Sequence, residues 1–373
     1  MNKQYIFYIW FLTLLSFAGE AQQTVSGTLT HDNVVRNYRL RLPKDHQKTE
    51  AIPLVFNFHG FSSNAGQQEF YSGMNTLADK EKFAVCYPNG INAAWNVGWS
   101  FGSTADDVGF VEAMIEKFVV DYGFDRNKIY ACGMSNGGFF SYHLACNLSN
   151  KIAAIASVTG SMVPGTFEKC TPSSSIPVME IHGTADDVVA YGGTTNISLS
   201  VDSVITFWSN HNQCVGPFLK ENLPNTNSND QSTVEKYVYK DCDTDREVWL
   251  YKVLGGGHTW PGAIISIGVT NQDINANEEI WKFFKRFSLP ETNSISEQNE
   301  STAIFPNPAF DKINLAYKDV HNVQIFNAFG RLVLEDFYLS PGQTLDILNL
   351  PKGMYILTCQ ADGKPVVLKF IKM

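Results

Sequence analysis

The chain has 373 residues, enough for one large core and a second, smaller unit. Its formal net charge is −9, its pI is near 5.4 and it carries no dense basic run, so a nucleic-acid partner is excluded as an expectation.

At the start, Lys3 precedes the apolar run "YIFYIWFLTLLSFAG", followed by small residues around Gly19–Ala21. A run of about fifteen residues is short for a membrane anchor and has the pattern of a secretory signal, so residues 1–21 are expected to be cleaved near Ala21. No later stretch is apolar for long enough to cross a bilayer, so no transmembrane segment is expected after cleavage. Export permits disulfides, and the seven cysteines leave at least one unpaired. Cys86 ("FAVCYPNG") and Cys132 ("KIYACGMS") sit inside strand-like apolar runs and read as buried thiols. Cys146 with Cys170, and Cys214 with Cys242, fall in loops or helix ends and are the candidate bridges. No Cys-x-x-Cys or Cys/His ligand spacing occurs, so neither a metal nor a cofactor is expected.

From Gln22 to Phe287, short apolar runs alternate with helical periods. "IPLVFNFHG", "FAVCYPNG", "KIYACGMS", "IAAIASVTG", "IPVMEIHG" and "EVWLYKVLGGG" each end in Gly or another small polar residue. In "DDVGFVEAMIEKFVVDYG", Val108, Val111, Ile115, Phe118, Val119 and Tyr122 recur at helical spacing, with Ser103, Thr104 and Asp106 as cap candidates. Strands apolar on both faces and alternating with helices predict a mainly parallel sheet covered by helices, an α/β fold over residues 22–287. "EEIWKFFKRF" (Glu278–Phe287) reads as its last amphipathic helix. Ser288–Thr302 is polar and aperiodic, a linker over 288–302. From 303 to 373, two-residue alternation and turns at Asn327–Gly330 and Asp362–Gly363 predict a small all-β sandwich, its Phe and Tyr at core-like positions.

"KIYACGMSNGGFFSYH" places Ser135 between Gly133 and Gly137. G-x-S-x-G also suits an ordinary turn. Between a buried strand, Ile129–Cys132, and a helix-compatible stretch, Gly137–Cys146, it has the setting of a nucleophile elbow. A serine hydroxyl needs a base, and the base an orienting acid; on this fold both follow the serine, acid first. His31, His46 and His59 come too early, His143 lies on the elbow helix, His182 precedes the acid, and His321 belongs to the tail. His211, near a helix end, reads as solvated or capping. His258 in "LGGGHTWPG", just past a strand on a glycine-freed loop, is the candidate base. Asp186 in "EIHGTADDVVAY" is the candidate acid, with Asp187 as the alternative, and either could instead cap the next turn. The oxyanion donors are expected to be the backbone N–H groups of Asn136 and of a residue near Phe61 in "FHGFSSN". His59, Trp99 and Trp260 are candidate substrate contacts, with structural packing as the other reading of each; Trp95 lies in the same set of loops.

Taken together, "VFNFHGFSSNA", "AWNVGWS", "DDVGFV", "GMSNGGFF", "IHGTADDVVAY" and "GGGHTWPG" resemble the secreted α/β-hydrolase esterases grouped as polyhydroxybutyrate depolymerase-like and feruloyl esterases. The resemblance implies an α/β-hydrolase fold, with Ser135 as nucleophile, Asp186 as acid and His258 as base. It also supports a Cys214–Cys242 bridge. Phe61 and Ala190 depart from the common pattern. In the tail, "IFPNPAFDKINL", "VQIFNAFGRLVLE", "LDILNLPKGMYILTC" and the basic end "LKFIKM" resemble the type IX secretion system C-terminal sorting domain. That implies type IX secretion machinery as a partner, in a Gram-negative, Bacteroidota-like bacterium, with delivery to the surface or the medium. The functions in view are a feruloyl or acetyl esterase on plant polysaccharides, a polyhydroxyalkanoate or other polyester depolymerase, and an inactive surface-binding module. The first two act on a polymeric or oligomeric ester.

Overall fold

The apolar runs singled out above stand side by side. In the computed structural model, which describes residues 24–290 and 303–373 apart from 318, 341–343 and 363, they form the centre of a ten-stranded sheet. The expected signal, residues 1–21, and most of the expected linker lie outside the described residues. The strands are β1 (Thr24–His31), β2 (Val34–Arg41), β3 (Leu54–Phe58), β4 (Ala84–Pro88), β5 (Ile129–Met134), β6 (Ala154–Val158), β7 (Val178–Gly183), β8 (Leu219–Asn222), β9 (Thr233–Tyr239) and β10 (Val248–Leu254). Their order is β1-β2-β4-β3-β5-β6-β7-β10-β9-β8. The run from β4 to β10 is parallel, and β2 and β9 join it antiparallel.

Every residue of β3, β4, β6 and β7 is buried, because helices cover both faces. The helices are α1 (Ala65–Ser72), α2 (Asn75–Glu81), α3 (Asp107–Tyr122), α4 (Asn136–Asn147), α5 (Pro164–Phe167), α6 (Val201–His211) and α7 (Ala276–Phe284). Leu54, Phe56 and Phe58 of β3 pack with Phe110 and Phe118 of α3, Phe140 of α4 and Trp208 of α6. Val55, one residue out of phase, packs on the other side with Ala78 of α2 and Ile280 and Phe284 of α7. The period of two in the strand thus feeds two separate cores. Asp106, one of the three cap candidates, accepts from the Gly109 N–H and starts α3, and Gly123 at φ 72° ends it.

The antiparallel edges, β1–β2 and β8–β9, were not marked in the sequence. Their residues are partly exposed, in β8 wholly so, and so lack a continuous apolar run. The β1–β2 hairpin turns at Asp32–Asn33, both with positive φ. Both candidate bridges are formed, Cys146–Cys170 and Cys214–Cys242, while Cys86, Cys132 and Cys359 are buried thiols. The first unit runs to Pro290, three residues beyond the expected boundary: the Arg246 guanidinium donates to the Ser288 carbonyl and the Leu289 N–H to that of Asn127.

The second unit is a sandwich. One sheet holds β11 (Ile304–Phe305), β12 (Lys312–Leu315) and β15 (Leu345–Asp346). The other holds β13 (Val320–Asn327), β14 (Leu332–Leu339), β16 (Gly353–Ala361) and β17 (Lys364–Lys372) in the order β14-β13-β16-β17. Ile304, Ile313 and Leu345 pack against Val323, Ile325, Leu357 and Phe370. The expectation that its aromatics are core residues is corrected in part: Tyr355 and Phe370 are buried, but Phe305, Phe310, Phe329 and Tyr338 are exposed. Phe329 sits in the Asn327–Gly330 turn, where strand alternation no longer dictates facing.

Cys146–Cys170 closes a segment of 24 residues at the end of α4. Replacing both cysteines by serine is expected to lower stability by about 3 kcal/mol, read by guanidinium unfolding.

Candidate active site

Ser135 stands between β5 and α4 at φ 55°, ψ −122°, a backbone conformation that costs a non-glycine residue on the order of 1–3 kcal/mol. The neighbours hold it there. Its N–H donates to the Val158 carbonyl, and the Phe139 N–H closes the first turn of α4 onto the Ser135 carbonyl. A methyl on Gly137 would lie 2.2 Å from the Phe58 carbonyl oxygen, and one on Gly133 would lie 2.6 Å from the Gly137 backbone. Only glycine permits helix and strand to meet this closely.

Asp186 follows β7 and His258 follows β10, its parallel neighbour. The two loops are stitched together: Thr184 N–H donates to the Val253 carbonyl, Ala185 N–H to that of Gly256, and Gly255 N–H to the Thr184 hydroxyl. A methyl on Gly183 would collide with the Gly256 oxygen at 2.2 Å, so this close packing also depends on a glycine. Asp186 Oδ2 stands 2.8 Å from His258 Nδ1, and Oδ1 accepts the Val188 and Val189 N–H groups at 2.9 and 2.8 Å. One carboxylate therefore caps its own turn with one oxygen and faces the histidine with the other. Burial pushes the Asp186 carboxyl up, but His258 and the Val189 amide outweigh it and hold it below its ordinary value. Asp187 is exposed. With Nδ1 donating to the carboxylate, His258 keeps Nε2 as its free lone pair.

Ser135, Asp186 and His258 all follow carboxyl ends of parallel strands in one sheet. The "HGF" loop closes over the serine: a methyl on Gly60 would lie 3.4 Å from Ser135 Cβ and 3.9 Å from its Oγ. Phe61 therefore follows a residue already in contact distance of the serine. Asn136 opens α4, where backbone N–H groups have no acceptor within the helix. Its buried side chain is occupied elsewhere, accepting from the Trp95 N–H at 2.7 Å and donating to the Trp95 carbonyl at 3.2 Å.

Two candidate substrate contacts are corrected. His59 is fully buried; Nδ1 donates to the Gly60 carbonyl at 2.7 Å and Nε2 accepts from the Gly90 N–H at 3.0 Å, so it braces loops and has no nitrogen left for a ligand. Trp260 is buried against α7, its indole N–H donating to Asn277 Oδ1 at 3.1 Å. Trp95, likewise buried, donates to the His59 carbonyl. Trp99 remains partly exposed and stacks on Phe101 with ring centroids 5.1 Å apart, and Phe101 meets Phe61 edge-on at 5.9 Å. Phe101 was missed in the sequence; the half-exposed rings of Phe61 and Phe101 extend the Trp99 surface. Among the described residues His31, Asp32 and Asp106 bring their donor atoms within 4.8 Å of one another at the surface, but Asp106 is already engaged in capping α3 and pairing His31.

Residues 36–223 match the esterase PHB depolymerase family, and the chain belongs to it. Residues 303–373 match the secretion system C-terminal sorting domain. Over 258 residues the chain is 28% identical to a bifunctional acetylxylan esterase/xylanase of Neocallimastix patriciarum, covering 69% of this chain and 34% of that protein. Over 269 residues it is 28% identical to feruloyl esterase B of Piromyces equi, covering 68% and 46%. The chain thus spans less than half the length of these relatives. Among solved structures it is similar to an acetyl xylan esterase from Aspergillus awamori, with TM-score 0.51, 15% identity, and coverage of 70% of this chain and 99% of that one, a likeness of fold.

The strain at Ser135 is measurable. Ser135→Gly is expected to be more stable than Ser135→Ala by about 1 kcal/mol, because only glycine enters this conformation freely, with both variants inactive; thermal unfolding and ester turnover check this. His59 gives a pH effect. Burial holds it at about 4, so between about 6.5 and about 4 the unfolded chain binds a proton that the folded one does not. Stability is expected to fall across that window as pH drops, by on the order of 3 kcal/mol, and His59→Gln to flatten the slope in unfolding measured at several pH values.

Proposed function

We propose that the chain is an exported serine esterase that cleaves carboxylic esters through an acyl-enzyme, with Ser135, Asp186 and His258 as its triad. The observation that carries this reading is the 2.8 Å contact between His258 Nδ1 and Asp186 Oδ2, on loops stitched to the same sheet edge as the strained Ser135. His258 Nε2 takes the Ser135 proton as Oγ attacks the ester carbonyl. The N–H groups of Asn136 and Phe61 hold the oxyanion of the tetrahedral intermediate. Its collapse breaks the C–O bond, and His258 returns the proton to the leaving alcohol. A water, deprotonated by the same nitrogen, then releases the acid and regenerates the serine. No step requires a metal or cofactor.

The substrate class we infer is a feruloyl or acetyl ester on plant polysaccharide. It is supported by the names of both relatives and by the Trp99–Phe101–Phe61 wall, which offers an aromatic acyl group stacking and edge contacts. A polyester depolymerase is the second reading. It is favoured by the isoleucines of the loop after the base, where Ile264 is 99% exposed and Ile265 and Ile267 are also exposed, an apolar surface suited to a hydrophobic polymer. The 303–373 unit supports export by type IX machinery to the surface or medium of a Bacteroidota-like bacterium.

Turnover of methyl ferulate against a hydroxybutyrate oligomer tests the substrate, and preference for the oligomer would reverse the order of the two readings. Asp186→Asn is expected to keep the fold and lose about 10⁴ in kcat, with Ser135 labelled by a fluorophosphonate in the wild type only at full rate. Unchanged turnover in Asp186→Asn would remove Asp186 from the triad.

A further inference from the structure

Beneath Asp186 lies a buried polar chain with no part in the steps above. Glu180 and His182, two apart on β7 and so on the same face, are both essentially inaccessible. Glu180 Oε2 accepts from the Tyr142 hydroxyl of α4 at 2.8 Å, and Oε1 stands 2.9 Å from His182 Nδ1. His182 Nε2 stands 2.8 Å from the Val189 carbonyl oxygen and 3.5 Å from Asp186 Oδ2, the oxygen that also meets His258.

Both ring nitrogens of His182 therefore face oxygen. A neutral imidazole has one N–H and one lone pair, and one of its nitrogens would oppose an acceptor. Two proton placements satisfy every contact: a doubly protonated ring beside an ionised Glu180, or a neutral ring accepting a proton held by Glu180. The neighbours select the first. The Asp186 carboxylate attracts a cation at Nε2, and the Tyr142 hydroxyl, donating to the other Glu180 oxygen, favours the carboxylate. Burial pushes the Glu180 carboxyl up and the His182 ring down, but the ring's bonds to Glu180 outweigh burial there and carry His182 above the ordinary histidine value. Two further groups lie on this side of the ring, and the Lys252 ammonium, a like charge, works against the imidazolium. Tyr191 lies edge-on at 5.9 Å and donates to Asp202, and Lys252, the register partner of His182 on β10, directs its ammonium over the Tyr191 ring at 4.7 Å.

We propose that His182 is a buried imidazolium, balanced by Glu180, and that it acts as a positioning residue which keeps Asp186 ionised and aimed at His258 as the pH falls. This rests on the reading of Asp186 and His258 as acid and base. A cation on the shared oxygen opposes proton uptake by the Asp186–His258 pair, so the pair stays competent to lower pH than it would beside a neutral neighbour.

Two measurements on the full chain test it. Imidazole ¹⁵N–¹H spectra, assigned with His182→Gln, are expected to show hydrogen on both ring nitrogens of His182 between roughly pH 6 and 8; one unprotonated nitrogen would establish the neutral pair and overturn the proposal. In Glu180→Gln/His182→Gln the new glutamine can still donate to the Val189 carbonyl, without a charge. The acid limb of its kcat/KM profile is expected to move up by about 0.5–1 pH unit. A uniform loss with the limb in place would reduce the pair to a structural strut and overturn the positioning role. Should the double variant not fold, His182→Gln alone removes the cation and carries the same expectation and the same overturning result. A wild-type imidazolium together with full activity in Asp186→Asn would instead locate the error in the triad reading.

Discussion

The approach of α4 to β5 and β3 is the constraint on which the rest depends. The helix begins where a methyl group at Gly137 would lie 2.2 Å from the Phe58 carbonyl oxygen, so the turn at Ser135 is forced into its uncommon conformation by backbone against backbone. The cost is met by two cores: Phe139 and Phe140 pack beside β3 on one face, and α7 closes the other. A parallel sheet apolar on both faces is thus the source of the stability that holds one serine in strain.

Asp186 and His258 reach the same edge by a different device. Their loops are joined by backbone hydrogen bonds between Thr184–Ala185 and Val253–Gly256, so the 2.8 Å contact of Asp186 with His258 does not rely on the side chains finding each other. Such preorganisation places the dipoles before substrate arrives. It also explains why glycines crowd this region: Gly183 and Gly256 touch through atoms that would be displaced by any Cβ.

Much of this was legible in the sequence because burial on both faces writes itself as unbroken apolar runs. All six runs became the parallel strands, and chain order with the loop glycines singled out His258. What was hidden is what burial leaves unmarked. β1, β2 and β9 are half exposed and β8 is exposed throughout, so their alternation is diluted by polar residues such as Arg39 and Lys236. His59 and Trp260 illustrate the converse difficulty. A polar or aromatic residue beside a catalytic motif has the same local sequence whether it faces substrate or, as here, spends its nitrogens on Gly60, Gly90 and Asn277. Only three-dimensional partners distinguish the two. Phe101 shows the same limit, since its value lies in standing between Trp99 and Phe61.

The helix that begins at Ser135 ends beside Cys146, whose sulfur is joined to Cys170. One end of this helix is fixed by contact with a strand, the other by a covalent link that a reducing cytoplasm would withhold. Assembly is therefore tied to geography: the scaffold under Ser135 acquires its final fastening only where the surroundings are oxidising enough to close that link.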